Sequence, residues 1–240
     1  MELDLLAFGA HPDDVELGCG GTLIASARRG RSVGVVTLTR GESGTRGSAE
    51  ERAVEFDASC AVIGCSHRQM LDLPDGGLTV DDPSRRAVIR VLRALRPRIV
   101  LLPYWEDRHP DHGNASRIVE EACFLAGLRR LDTGQEPHRP AELLYYMASW
   151  EFEPGFVVDI SAVMEEKKRA IRCYASQVWN GTGQPHGEPT FIASRGFWEL
   201  ILARAAHYGR LIGREFGEPF KTRRLIEIRD PLEAFGDRTW

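Results

Sequence analysis

The chain has 240 residues, 42% hydrophobic and 28% charged, with a net charge of −4; that suits one α/β domain with a real core and offers no basic excess for nucleic acid or anionic lipid. Its longest apolar runs, such as 99–103, are too short to cross a bilayer, and the start Met1-Glu2-Leu3-Asp4 lacks the regions of a signal peptide. Five scattered cysteines fit neither a redox nor a zinc spacing, so the expectation is a cytoplasmic protein with buried thiols.

In chain order, 3–8 reads as a strand and 10–21 as a loop in which Gly18, Gly20 and Gly21 allow a tight turn. A helix over 22–29 closes at Gly30. The β-branched run 33–39 is a second buried strand, followed by a glycine-rich loop at 40–47. Ser48 with Glu51 resembles a capping box for a helix over 49–63, ended by Gly64. A short strand at 68–71 and a turn-rich loop at 73–77 precede a helix from Pro83 to about Leu95, which Arg96-Pro97 stops. Strand 99–103, loop 104–110 and helix 112–128 complete the repeat. Strand–helix alternation predicts a Rossmann-like α/β fold, a mostly parallel twisted sheet with helices on both faces. The loops at 10–21, 40–48, 73–78 and 104–112 then open on one edge, where such sheets bind ligands. The remainder is less regular: strands at 142–150 and 156–160, open to antiparallel pairing, a helix over 161–174, a mobile loop at 175–188, a long helix at 191–211, and an edge strand at 225–228. The expectation is a single domain over 1–240, with its core in 1–130 and an irregular C-terminal extension in 131–240.

Two clusters stand at predicted strand ends. One holds His11, Asp13 and Asp14; the other holds His109, Asp111 and His112. A zinc hydrolase needs three protein ligands and an open position, with a base and an acid beside them. Two histidines and one carboxylate from adjacent loops supply such a set, leaving one carboxylate and one histidine over. Pro12 and Pro110 stiffen both loops. The plainer alternative is helix capping by Asp13, Asp14 or Asp111.

A-H-P-D-D near the start with H-P-D-H in the middle resembles the LmbE-like, or PIG-L, family of zinc-dependent N-deacetylases. Leu38-Thr39-Arg40-Gly41-Glu42, Thr45-Arg46-Gly47, Leu73-Pro74-Asp75-Gly76, Glu136-Pro137-His138-Arg139-Pro140 and Phe156-Val157-Val158-Asp159-Ile160 are similar to the branch that deacetylates N-acetylglucosaminyl malate in bacillithiol synthesis. The resemblance covers roughly 4–220. It implies that His11, Asp14 and His112 bind Zn²⁺, a set that also suits Fe²⁺ or another divalent ion. It implies Asp13 as general base, His109 as the protonated group that stabilises the tetrahedral intermediate, and Asp111 as its orienting partner, raising its pKa. Arg52 and Arg139 become substrate-binding residues, the latter from a neighbouring subunit of a homo-oligomeric trimer or hexamer. The partner implied is a small amino-sugar conjugate, with no nucleic acid and no membrane. Where many members carry Glu directly after the two aspartates, Val15 intervenes here before Glu16.

Other substrates within the class are mycothiol-type or chitobiose-type N-acetylglucosaminides and thiol S-conjugates. A nucleotide-binding module is a competing class, but the G-C-G-G turn lacks G-x-G-x-x-G spacing and carries carboxylates where a pyrophosphate would sit. A non-catalytic sugar-binding protein is a third, and the intact base, acid and ligand positions argue against it.

Overall fold

The computed structural model describes residues 2–179, 181 and 188–236. Its strands are β1 (Leu5–Gly9), β2 (Val33–Thr37), β3 (His67–Met70), β4 (Ile99–Pro103), β5 (Glu142–Tyr146), β6 (Phe156–Asp159) and β7 (Gly217–Lys221). The helices are α1 (Asp14–Arg28), α2 (Ala49–Ile63), α3 (Asp82–Leu95), α4 (Pro110–Ala126), α5 (Met164–Arg172), α6 (Arg195–Leu211) and α7 (Pro231–Phe235). One sheet runs β3-β2-β1-β4-β5-β7-β6. Its first five strands are parallel, so β5 continues the parallel sheet, and β7 then pairs antiparallel with both β5 and β6. Helices cover both faces, as the alternating pattern predicts.

Both faces of the central strands are buried, which is why they read as unbroken apolar runs. Leu6, Phe8, Val36, Val100 and Leu102 pack on one side with α3 and α4. Ala7, Val33, Val35 and Leu101 pack on the other with α1, α2 and α5. Helix α2 forms as its local signals dictate: the Ser48 side chain accepts from the Glu51 N–H, and Gly64 closes the helix with φ 84°.

Several expectations are corrected. Helix α1 starts at Asp14, not near Thr22. Gly18 and Gly21 serve close packing rather than a turn. A Cβ at Gly18 would lie 2.2 Å from the Tyr146 ring, and one at Gly21 would lie 2.9 Å from both Ile160 and Glu218. The edge strand expected at 225–228 is irregular and exposed, while 217–221 forms the strand instead. The strand expected over 142–150 ends at Tyr146. Half of the expected loop at 175–188, residues 180 and 182–187, lies outside the described residues.

Helix α1 is broken at Cys19, whose φ is −142°. The break would leave backbone groups unpaired in the interior. Glu218 on β7 takes the N–H groups of Gly21 and Thr22 at 2.8 and 2.7 Å, and the Thr22 hydroxyl at 2.6 Å. Lys167 on α5 pairs with Glu218 and also donates to the Leu17 carbonyl at 3.1 Å. Both side chains are almost wholly buried. Removing one partner of a buried, hydrogen-bonded pair strands the other. Glu218→Ala is therefore expected to cost about 3–5 kcal/mol of unfolding free energy, and Glu218→Gln clearly less, because its amide oxygen still accepts an N–H. Urea unfolding of the two variants checks this ordering; equal losses would contradict it.

Candidate active site

The four loops that follow β1 to β4 open together, as expected, into a cavity of about 590 Å³ lined by His11, Asp13, Asp14, Asp75, His109 and His112. α6 supplies an apolar wall with Phe197, Leu200 and Ile201.

The chain leaves β1 and bends at Asp13, whose φ of 106° lies in the region that side chains rarely occupy. Arg52 on α2 holds the bend. Its guanidinium donates to the Pro12 carbonyl, to the Gly41 carbonyl at 3.2 Å, and meets Asp13 Oδ2 at 3.4 Å. Gly41 is what admits it, since a Cβ there would lie 2.2 Å from Nη1. The Asp13 side chain makes no capping bond to α1. Burial pushes its carboxyl up, against the opposing pull of Arg52 and with a further push from Asp14, to about 7. Asp14, the next residue, turns the other way. Its Oδ2 accepts from the His11 N–H at 2.8 Å, and its Oδ1 lies 3.2 Å from His112 Nε2. Burial would raise this carboxyl too, but His112 and His11 hold it well below the usual range.

His11 and His112 are each oriented by carboxylates. His11 Nε2 meets Asp75 at 2.9 Å and Asp111 at 3.2 Å, which leaves Nδ1 facing Asp14 at 3.6 Å. His112 Nδ1 meets Asp107 at 2.9 Å, leaving Nε2 toward Asp14. Asp107 is fixed in turn by the N–H groups of His109 and Ser149 at 2.9 and 2.7 Å. Such carboxylate–histidine pairs set the tautomer that a metal needs. The donor atoms of His11, Asp14 and His112 lie within 4.8 Å of one another. His11, His109 and Asp111 make a second such group. The first fits a cation better, because the Asp111 carboxylate is already spent on the N–H groups of Gly76 and Leu78 at 2.7 and 3.2 Å.

The electrostatics ask for positive charge. Burial alone would lower both imidazoles. For His11, the bonds to Asp111, Asp14 and Asp75 outweigh it and hold the pKa well above the ordinary value. For His112, the charge of Asp14 and the bond to Asp107 raise it to about 10. The carboxylate cage thus favours two extra positive charges at this point, and a divalent cation on two neutral imidazoles supplies them. Two histidines and one carboxylate leave a cation an open position. The residues present fit the metal that the motifs imply.

His109 differs from expectation. Its Nδ1 accepts the Asp111 backbone N–H at 3.2 Å, so the neutral ring carries its proton on Nε2. The Asp111 carboxylate orients His11, not His109. Burial, followed by the charges of His11 and His112, lowers the His109 pKa, and Asp111 offsets this only in part. The ring stacks on His112 with centroids 5.0 Å apart.

Arg139 does not line the cavity. Its guanidinium caps the Phe124 carbonyl at 2.9 Å and lies over the Phe124 ring, at the far end of α4. His138 bonds the Pro97 carbonyl at 2.8 Å, away from the site. Sequence reasoning missed Asp75 and Asp107 as orienting groups. Asp75 lies in the quoted L-P-D-G turn and Asp107 just before R-H-P-D-H, but neither spacing signals a contact with a particular histidine.

A family model described as PIG-L: GlcNAc-PI de-N-acetylase matches residues 6–123. The diacetylchitobiose deacetylase of Thermococcus kodakarensis is 31% identical over 234 residues, covering 89% of this chain and 80% of that protein. The 1D-myo-inositol 2-acetamido-2-deoxy-alpha-D-glucopyranoside deacetylase of Rhodococcus opacus is 27% identical, covering 74% and 82%. Among solved structures, a conserved protein from Thermus thermophilus superposes with a TM-score of 0.86 at 37% identity, covering 94% of this chain and 97% of that one. The matched span 6–123 includes both His/Asp loops of this chain, and the chain belongs to the PIG-L family of hydrolytic N-deacetylases.

Proposed function

We propose that the chain is a Zn²⁺-dependent deacetylase that hydrolyses the acetamido group of an N-acetylglucosamine conjugate, releasing acetate and the free amine. N-acetylglucosaminyl malate is the specific substrate proposed, from the motifs shared with the bacillithiol branch; chitobiose-type and mycothiol-type conjugates are the alternatives, supported by the relatives' names. The observation that carries the reading is the division of labour between neighbours: His11, Asp14 and His112 converge, while Asp13 beside them is buried, uncommitted to capping and poised near neutrality. The cation supplies Lewis-acid activation of water and of the amide carbonyl. Asp13 takes the proton of the attacking water. His109 faces the same space and donates from Nε2–H to the oxygen that gains charge. The carbon–nitrogen bond breaks as the amine takes up the proton that Asp13 collected. Arg52 acts here through Asp13, and its donors are largely committed to the protein. Arg139 has a place only if a second copy, in the proposed trimer or hexamer, brings it to the cavity. A cytoplasmic location accords with five unpaired cysteines.

The direct test is amine release from N-acetylglucosaminyl malate and diacetylchitobiose by purified protein, with Zn²⁺ and with a chelator. Failure on every acetamido sugar with metal present would sink the reading. Asp13→Ala is expected to lower kcat by about 10²–10⁴-fold with bound zinc retained; loss of zinc would mean that Asp13, not Asp14, is the ligand. Asp107→Asn is expected to weaken zinc about 10–100-fold by releasing the His112 ring, read by chelator competition. Metal affinity also has a predicted pH dependence. In the metal-free protein His112 keeps its proton up to about 10, and the carboxylates hold the His11 pKa well above its ordinary value. Binding must release these protons, so affinity rises with pH, by at least about tenfold from pH 6 to pH 7. An affinity flat across that range would contradict the protonated cage.

A further inference from the structure

Four arginines line the cavity: Arg46, Arg52, Arg108 and Arg204. Three are engaged by other groups. Arg52 is bonded to Pro12 and Gly41 through both terminal nitrogens, which leaves only its Nε unpartnered. Arg204 donates to the carbonyls of Ala148 and Leu17. Arg108 is exposed and lies over the Phe191 ring. Arg46 is different: it is 7% exposed, yet its Nε and Nη1 are buried without any hydrogen-bond partner. No carboxylate pairs with these two atoms among the described residues.

The surroundings hold this arginine in place rather than satisfy it. Its backbone carbonyl accepts from Gln177 Nε2 at 2.6 Å. Gly47, the next residue, has φ 71° and sits against Ser176, where a Cβ would lie 2.7 Å from Oγ. Ser176 is tied to Glu55 of α2 through both its N–H and its hydroxyl, each at 2.7 Å. A guanidinium is always charged and presents a planar fork of donors. Burying two of those donors unpaired is costly unless something arrives to accept them. The same cavity is lined by the carboxylates Asp13, Asp14 and Asp75. None of them pairs with the two Arg46 atoms, so the guanidinium adds an unspent positive charge to a cavity that also holds the candidate cation site.

We infer that Arg46 is the specificity-determining residue of this site, receiving a carboxylate or phosphate on the part of the substrate remote from the acetamido group. The inference rests on the deacetylase reading and extends it: the substrate class is an acetamido sugar with an acidic aglycone. Arg46 touches no reacting atom. It binds the anion through a planar N–H···O⁻ fork, so a neutral aglycone leaves it unpaired and is disfavoured.

The test compares kcat/KM on three substrates: N-acetylglucosaminyl malate for a carboxylate, N-acetylglucosamine 1-phosphate for a phosphate, and neutral diacetylchitobiose. Wild type is expected to prefer an acidic substrate, and which one identifies the anion. Arg46→Gln is expected to lower the acidic-to-neutral ratio by at least about tenfold, chiefly through KM. Arg46→Lys, which keeps the charge and lacks the fork, should fall between. An unchanged ratio in both variants overturns the inference, even if both lose activity. If wild type hydrolyses none of the three, the deacetylase reading fails, and the arginine is judged by binding. Calorimetric titration of the zinc-loaded full chain with malate and with inorganic phosphate should then show binding that Arg46→Gln weakens. Equal binding by wild type and variant, or none by either, overturns it.

Discussion

A single buried carboxylate closes the break in the helix on which the site is built. At Cys19 the first helix stops repeating, and two sets of backbone groups lose their partners. Glu218 takes the N–H groups on one side, and Lys167 and Arg204 take the Leu17 carbonyl on the other. The break is thus sealed by residues from three later elements. The helix segment before it begins with Asp14, and Leu17 at its end lines the cavity. The floor of the site and the joint between β7, α5 and α1 are one piece of structure.

The carboxylates work on that floor because they are unequal. Asp13 and Asp14 are neighbours in sequence and both are buried, yet one is pushed toward neutrality and the other held firmly ionised. The left-handed turn at Asp13 produces the difference, since it sends adjacent side chains to different partners. Asp14 meets two imidazoles; Asp13 meets only the edge of Arg52. A non-glycine residue in that conformation is strained, and strain of this kind persists only where the surroundings over-determine it. Here the Arg52 bonds to Pro12 and Gly41 do so.

What was legible in the sequence was local. The runs of β1, β2 and β4 show as apolar segments because both their faces are buried, and α2 shows because its capping residues Ser48, Glu51 and Gly64 are near neighbours in the chain. The four loops could be assigned to one edge from topology alone. What was not legible depended on distant partners. Gly18 reads as a turn residue until Tyr146 is packed against it. β7, with sequence Gly-Glu-Pro-Phe-Lys, resembles no strand; Pro219 is tolerated because β7 pairs only with β6 at that point, and Glu218 because a helix end needs it. The metal-binding candidates were found by motif, but Asp75 and Asp107 were not, since each meets its histidine only after folding. Asp111 belongs to the cluster that its motif indicates, but it meets a different neighbour: its backbone, not its carboxylate, holds His109.

The seal at Cys19 also has a consequence in time. A chain emerging from the ribosome at about 5–20 residues per second exposes its β1–α1 segment long before residue 218 exists. Until then the second half of α1 has no acceptor for Gly21 and Thr22, and the cavity floor has no reason to bend there. The parallel half of the sheet can assemble early from its own neighbours, whereas the candidate cation site waits for nearly the whole polypeptide. Contacts of such sequence separation slow folding. They also keep a partly made chain from bringing the paired His/Asp loops to a finished geometry, so competence for chemistry arrives last, together with β7, the last strand to be made.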